Sequence, residues 1–561
     1  MPALKEKTKG KAHESLFTVV APLLLGAACF ILIYGTRVLN PLYDGWLLAG
    51  GDLSQHYIGW EGYRNSGWTF PLGLSDTLTY PTSISVIFTD SIPLPAVFFK
   101  LLSPLLPETF QYWGLWGLSG FMMTAFVGTQ LLRKYSPNHA FSLLGSIFFI
   151  ISPTILQRLY GHESLGGGQW LVLASLLPLV WHEERYQLTE RAAVFWGILA
   201  FLCVGIHIYF SVTCFFALLA FCLYDYLTTK RLRTSLASLA SYCLTSIIIT
   251  WLLGGLKGGI RGKGAGEVGE FSANINCLIN PQSYSRFLPA LPVHGNGQQE
   301  GFAWLGLGIF ALLIVGFVSW LLGKRQGGAD RGSPAHNRKK LIAFAVAAAL
   351  SFLFALSPLV TLGSRLLFTV PLPHAARKLL VTFRSTGRMV WLCFYIIYLA
   401  SFCLIARMRT QKPWLPAAIL GACLLIQIAD LSPTLAARHG RYAPRQEYSD
   451  TFSQSPGMAS LAKKGGFRHI CIASRLESED LFAVAQFAVR HGMTVNRFWT
   501  VHQIGRDDEE QLLMQELSAP QEGTVFLFRK EDEQLGRDYG LDMTRVNDEY
   551  SIGIPGTTRR N

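Results

Sequence analysis

The residues best suited to chemistry open one polar stretch, Gly50-Gly51-Asp52 followed by Gln55-His56. Two glycines let a backbone or ligand approach the carboxylate behind them closely. Such a carboxylate can act as a general base, taking the proton of an acceptor hydroxyl as that oxygen attacks. A turn or helix-capping aspartate would read the same way. Asp90, in FTDSIPL, is either a second acid of the site or the N-cap of a helix starting near Pro93. His162-Glu163, taken by itself, reads as a solvated turn. Glu300 precedes an apolar run and either faces a pocket or lies at a helix N-terminus. The stretch SRLLFTVPLPHAARKLLVTFRSTGRMVW carries Arg365, Arg377, Lys378, Arg384 and Arg388. Guanidinium groups grip phosphate bidentately and stabilise charge building on a departing phosphate. Arg384 and Arg388 could equally hold anionic lipid headgroups.

Several other chemistries fail on spacing. Neither His162-Glu163 nor His182-Glu183 is followed by a second His four residues on, so the metalloprotease pattern is absent. The run GGLKGGIRGKGAGEVGE lacks the Walker spacing and the Ser/Thr after Lys263, and its flexibility suits a loop that gates substrate. Ten cysteines are scattered without metal-ligand spacing or a disulfide framework. No cluster of oxygen ligands defines a cation site.

The elements that must position these residues are membrane helices. The chain is 50% hydrophobic and only 15% charged, with 37 Phe and 14 Trp, against roughly a quarter charged in a soluble protein. Apolar stretches predict helices at 16–37, 110–132, 140–156, 169–182, 190–206, 207–228, 235–255, 302–322, 341–361, 388–406 and 413–431. The net charge of +13 does not imply nucleic acid, because the basic residues fall in short loops between apolar segments. The basic loop 323–340 and the turns Arg133-Lys134, Lys230-Arg231-Arg233 and Arg407-Arg409 mark the cytoplasmic side. Counting from them places 38–109, 157–168, 256–301, 362–387 and everything after 431 outside. The basic start before Leu16 leads into a retained first helix, since the apolar run is long for a signal peptide and no cleavage pattern follows. Residues 84–106 are apolar enough to cross but hold Asp90, Lys100 and three prolines, and read as an interfacial or re-entrant hairpin. The expected division is a transmembrane module over 1–431, with a long outer loop at 38–109, and a soluble α/β domain over 432–561, where β-rich runs alternate with helical ones.

The runs GGDLSQHYIGW, FTDSIPL, QQEGFAWLGLG, FRSTGRMVW and HGMTVN resemble an uncharacterised bacterial family of multi-spanning membrane proteins. Nearly the whole chain takes part. The order of one helix, an aspartate opening a long outer loop, many helices and an outer C-terminal domain resembles the GT-C superfamily of membrane glycosyltransferases, oligosaccharyltransferases and protein O-mannosyltransferases among them. That resemblance implies an all-α, GT-C-like membrane fold of about 11–13 helices in the bacterial cytoplasmic membrane. It also implies transfer of a sugar from a polyprenyl-phosphate carrier to a glycan, lipid or protein acceptor, with inversion. Asp52 matches the first-loop acid that serves as base, and Asp90 a second acid found in some members. His56, Glu163, Glu300, Arg384 and Arg388 would contact substrate. Some members use a divalent cation, Mg or Mn, and others none. The competing readings are a lipid-linked glycan transporter or flippase, and a non-catalytic scaffold for envelope assembly.

Overall fold

The structure, a computed structural model, describes residues 14–257, 268–325, 334–448, 451–500 and 509–556. The basic N-terminal start, most of the glycine run of the third outer loop and most of the 323–340 loop lie outside the described residues.

In hydrocarbon a backbone has only itself to bond, so long apolar runs become helices. Nine helices among the described residues are long and apolar enough to cross a membrane. They are Leu16–Tyr34, Trp113–Leu132, His139–Arg158, Thr189–Ile206, Ile208–Thr229, Arg233–Leu252, Arg338–Leu356, Thr386–Ala406 and Leu415–Tyr442, and Leu307–Leu322 is a shorter apolar helix. The chain is a multi-pass membrane protein. Residues 84–106 contain one nine-residue helix, Pro93–Leu101, about 14 Å long against a hydrocarbon core of ~30 Å. That is too short to cross.

The expected helix at 169–182 is a correction, and it takes the number of long spans below the 11–13 expected. Short helices Glu163–Gly167, Trp170–Ser175 and Leu177–Val180 occupy the stretch instead. Pro178 sits in the first turn of the last of them, where its missing N–H costs nothing and a continuous helix is broken. Gly167 presses against the Trp116 ring so closely that a Cβ there would lie 2.3 Å from Nε1. The stretch is buried almost throughout, so it is interior packing whose apolarity reads like a span.

The chain divides into two compact units. The first comprises Met1–Pro41, Tyr112–Ile248 and Gly264–Arg445 and holds the apolar helices. Within it, Asp430 and Gln427 on the Leu415–Tyr442 helix fix an extended segment at 302–306. Asp430 accepts hydrogen bonds from Trp304 Nε1 (3.3 Å) and Leu307 N (3.1 Å). Gln427 accepts from Gly308 N (2.9 Å), and Tyr398 donates to the Leu305 carbonyl (2.8 Å). The start of the Leu307–Leu322 helix is therefore tied down. The Tyr34, Tyr160 and Tyr442 rings meet edge-on or tilted around the loop after Arg158, and Tyr442 donates to the Tyr160 carbonyl at 2.9 Å.

The second unit comprises Leu42–Gln111, Ile249–Lys263 and Gln446–Asn561. Among its helices and strands, in chain order, are α1 (Gly51–Asn65), α2 (Pro93–Leu101), β1 (His469–Ile472), α3 (Ser478–Arg490), β2 (Thr494–Val495), α4 (Glu509–Ser518), β3 (Thr524–Arg529), β4 (Leu541–Arg545) and β5 (Tyr550–Pro555). The strands form one sheet ordered β2-β1-β3-β5-β4, parallel across β2-β1-β3 and antiparallel beyond. Helix α4 covers one face through Leu513 and Leu517, packed with Cys471, Phe526 and Phe528. The segment at 77–80 extends the sheet. Val495 N donates to the Thr77 carbonyl (2.8 Å), and Tyr80 N donates to the Val495 carbonyl (2.9 Å). Asn65 of α1 donates to the Val489 carbonyl of α3 at 3.3 Å, so the loop's helix and the sheet are one body.

Gly114 opens the Trp113–Leu132 helix against the Val38 carbonyl, where an added Cβ would come within 1.8 Å of backbone oxygen. Backbone cannot swing aside as a flexible side chain can, so Gly114→Ala is expected to lose about 1–3 kcal/mol or more. Thermal unfolding of the detergent-solubilised chain, with yield of monodisperse protein, measures it.

Candidate functional site

In the first unit, three segments bring charge together. Arg158 ends the Pro153–Arg158 helix, Glu300 lies in the 3₁₀ turn Asn296–Gly301, and Arg388 lies in the 3₁₀ turn Thr386–Val390. Arg158 Nη1 donates to Glu300 Oε1 at 3.1 Å, its Nη2 lies 2.9 Å from Oε2, and Arg388 Nε donates to Oε2 at 2.6 Å. All three side chains are nearly out of solvent. Burial by itself would raise the Glu300 carboxyl, but the Arg158 and Arg388 guanidiniums outweigh it and hold the group at about 2. Glu300 is thus a fixed anion. It positions the two guanidiniums rather than accepting protons near neutral pH.

The surroundings are equally constrained. The Arg388 guanidinium lies over the Tyr209 ring at 4.8 Å, and Tyr209 Oη accepts from Ser385 N at 3.0 Å. Arg384 lies over Phe271 at 4.2 Å. Gly387 N donates to the Phe271 carbonyl at 2.9 Å. His207 caps the Ile208–Thr229 helix by accepting from Tyr209 N, and its ring lies 5.2 Å from that of buried His162. Glu163, wholly buried, opens a five-residue helix whose first carbonyl accepts from Trp116 Nε1 at 2.8 Å. The solvated-turn reading of His162-Glu163 therefore fails. Arg158, Glu300, Arg388 and Tyr209 form one cluster. Two guanidiniums against one carboxylate leave a formal charge of +1, in a setting of aromatic rings and low water content. Such a setting suits an anion with several oxygens. Arg158 was missed by sequence reasoning; it falls in the 157–168 stretch that the loop count placed outside, the same signal that singled out Arg384 and Arg388.

In the second unit, Asp52 and His56 lie one turn apart on α1, hence on one side of the helix. Gly50 and Gly51 both have positive φ (95° and 66°), a conformation that favours glycine. Ser54 fixes the entry by accepting from Gly50 N (2.9 Å) and donating to the Leu47 carbonyl (3.0 Å). Buried His56 has its Nε2 3.9 Å from Asp90 Oδ2. Asp90 does not cap the helix at Pro93; Ile92 occupies that position and makes no side-chain cap bond. Asp90 and Ile92 are instead both left-handed, at φ 54° and 52°, and Ser91 Oγ donates to the His56 carbonyl at 2.8 Å. His56 and Asp90 could offer one nitrogen and one oxygen to a divalent cation, whereas Mg takes an octahedral shell of oxygens, water among them.

Further along α1, Glu61 is buried, with no hydrogen-bond partner on Oε2. Its neighbours are Tyr57 and the Asp44–Arg490 pair, with Tyr57 Oη 3.2 Å and Arg490 Nη2 2.8 Å from Asp44 Oδ2. Burial pushes the Glu61 carboxyl up to about 7, against the attraction of Arg490.

Residues 23–432 match a family described as a domain of unknown function, DUF6311. The chain belongs to the DUF6311 family. No curated protein matches it. Solved structures of the Archaeoglobus fulgidus oligosaccharyltransferase are similar in part. The apo form is 11% identical, covers 92% of this chain and 70% of its own, and gives a TM-score of 0.46. The form tethered to an acceptor peptide with the NVT sequon is 11% identical, with coverage of 92% and 69% and a TM-score of 0.48. The complex with an inhibitory peptide and a dolichol-phosphate is 10% identical, with coverage of 92% and 69% and a TM-score of 0.42.

Glu300 and Glu61 of this DUF6311 chain respond to pH with opposite sign. Glu300, depressed from 4.5 to about 2, contributes stability that is full above pH 4.5 and is lost as pH falls toward 2. Glu300→Gln removes the carboxylate that the two guanidiniums share, and at neutral pH is expected to cost about 3–5 kcal/mol, read by thermal unfolding. Glu61, raised from 4.5 to about 7, favours the folded state fully below pH 4.5 and progressively less as pH rises to 7. Glu61→Gln should therefore match wild type at pH 4 and exceed it at pH 8, by on the order of 1–3 kcal/mol. A larger gain at pH 4 than at pH 8 would contradict the assignment.

Proposed function

We propose that the chain is a membrane glycosyltransferase of the GT-C type, moving a sugar from a polyprenyl-phosphate carrier to an acceptor hydroxyl. The observation that carries the reading is the Arg158–Glu300–Arg388 cluster, an arginine pair held rigid by a single carboxylate with Arg384 in the same turn region. The sequence resemblance of the GGDLSQHYIGW, QQEGFAWLGLG and FRSTGRMVW runs supports it, since those runs supply Asp52, Glu300 and Arg388. The cytoplasmic membrane of a bacterium is the proposed location, with the reaction on its outer face. The N-terminus would then lie in the cytoplasm and the C-terminal domain outside.

In this reading the acceptor oxygen attacks the anomeric carbon and its proton passes to the Asp52 carboxylate. The bond from that carbon to the carrier's phosphate oxygen breaks, and the electron pair leaves with the phosphate. Attack opposite the leaving group inverts the sugar carbon. Arg388 and Arg158, with Arg384, bind the phosphate and stabilise its growing charge, and Glu300 keeps the two guanidiniums in place. Asp90 holds His56, which with Glu163 contacts substrate. No step is assigned to a cation. A transporter of a lipid-linked glycan draws on the broken helices between Pro153 and Val180, and would not need a base.

The test is complementation of a deletion strain, with surface glycans profiled by mass spectrometry. Wild type restores a missing glycan feature. Asp52→Asn, at equal protein level in the membrane, should lower its formation 10²–10⁴-fold, as expected for loss of a general base. Full restoration by Asp52→Asn removes the transferase reading and favours transport or scaffolding.

A further inference from the structure

The second unit holds a cleft of about 780 Å³ lined by the 79–84 turn of the first outer loop, by β1 and β2 with the segments that follow them, and by α4. Clefts of ~300–1,000 Å³ accommodate small organic ligands or a short stretch of a polymer. Its lining combines two features that seldom occur together. Aromatic rings are one: Tyr80 stacks on His469 with centroids 4.1 Å apart and planes 20° from parallel, and half-buried Phe498 and Trp499 lie on the wall from β2. The other is a balanced set of donors and acceptors. Arg475 and Arg497 line the cleft together with Glu477 and Glu516, amid hydroxyls and amides.

Each feature narrows the ligand. A phosphate or nucleotide site needs an excess of cationic donors, as the Arg158–Arg388 cluster has; here acids and bases are equal in number. A lipid chain would leave the charged and amide groups without partners, at about 1–3 kcal/mol for each one buried. A sugar ring has an apolar C–H face that packs on aromatic rings and a rim of hydroxyls that both donate and accept. The wall is also preorganised. Tyr80 Oη lies 3.0 Å from Gln521 Oε1, His469 Nδ1 lies 2.5 Å from Thr494 Oγ1, and the turn is hydrogen-bonded to Val495 on both sides. Rings held in place lose little entropy when a ligand packs on them.

We infer that this cleft is a carbohydrate-binding site for a neutral glycan chain. As the acceptor site it rests on the transferase reading above; as a binding site it stands on the cleft alone. The test uses the full chain in detergent, fluorescently labelled, on an array of neutral and acidic oligosaccharides with phosphopeptide and peptide spots as controls. Retention on a class of neutral glycans is expected, falling at least tenfold with Trp499→Ala or Tyr80→Ala. Trp499→Phe should retain part of the signal, since it keeps a ring, and unchanged thermal unfolding of the variants separates binding from folding. Asp52→Asn should bind as wild type does. Failure to retain any neutral glycan, retention on peptide spots only, or indifference to both alanine variants overturns the assignment. If Asp52→Asn fully restores the surface glycan of the deletion strain while Trp499→Ala loses glycan binding, the transferase reading falls and the carbohydrate site stands.

Discussion

One carboxylate shared by two guanidiniums, Glu300 between Arg158 and Arg388, limits what the surrounding segments of the first unit can be. Charges removed from water are costly unless each finds a partner in good geometry. Three segments far apart in sequence must therefore converge to within hydrogen-bond distance. The 302–306 segment is anchored by Asp430, Gln427 and Tyr398, which sets where Glu300 lies. The two 3₁₀ turns approach so closely that a Cβ on Gly387 would lie 2.8 Å from the Gly301 Cα. Arg158 in turn bonds to the Gln299 and Glu300 carbonyls as well as the carboxylate. A site so over-determined holds its donors at fixed positions before any ligand arrives, which is the property an anion site needs.

The second unit solves a different problem, that of keeping an acid and an imidazole in place on a segment that looks like a loop. Asp90 and Ile92 both adopt left-handed backbone, which for a non-glycine residue costs of order 1–3 kcal/mol and persists only where the neighbourhood enforces it. Here the enforcement is visible. Thr89 sits where a side chain on Gly59 would lie 2.6 Å from its Cβ, and Ser91 bonds to the His56 carbonyl. The turn is thus pressed onto α1 at a glycine, and Asp90 is directed toward His56 by backbone strain instead of by the capping bond its sequence position suggested.

The sequence made the bulk of the architecture legible because the bilayer imposes one simple rule, about 20 apolar residues per crossing. It misled at 169–182, since a fully buried interior segment and a lipid-facing helix are equally apolar, and only the glycines at 166–168 and Pro178 distinguish them. At the candidate site, spacing made legible that Asp52 and His56 share one side of a helix, while their proposed roles came from the family resemblance, and Glu300 and Arg388 stood out at the edges of apolar runs. Arg158 was not, because its partner is 142 positions away in the chain and no local pattern reports such a pair. Glu61 stood in plain view among the polar residues of the first loop, but its burial is set by the Tyr57, Asp44 and Arg490 packing around α1, and Arg490 is contributed by the last third of the chain.

The charge balance of the arginine cluster carries the argument beyond stability. If Arg158 and Arg388 were only structural, one of them would suffice for Glu300, and a buried pair replaced by apolar side chains is often no less stable. Keeping a second guanidinium leaves a formal +1 in a buried, aromatic setting, where an effective dielectric below that of water strengthens any attraction to an anion. The same excess would also make insertion harder if it faced the outer side, against the usual bias of basic residues toward the cytoplasm. On the proposed outward-facing topology, a net positive cluster of this kind suits a negative group that comes and goes. In the proposed reading, a phosphate on a lipid carrier supplies the charge and the several acceptor oxygens that suit two fixed guanidiniums.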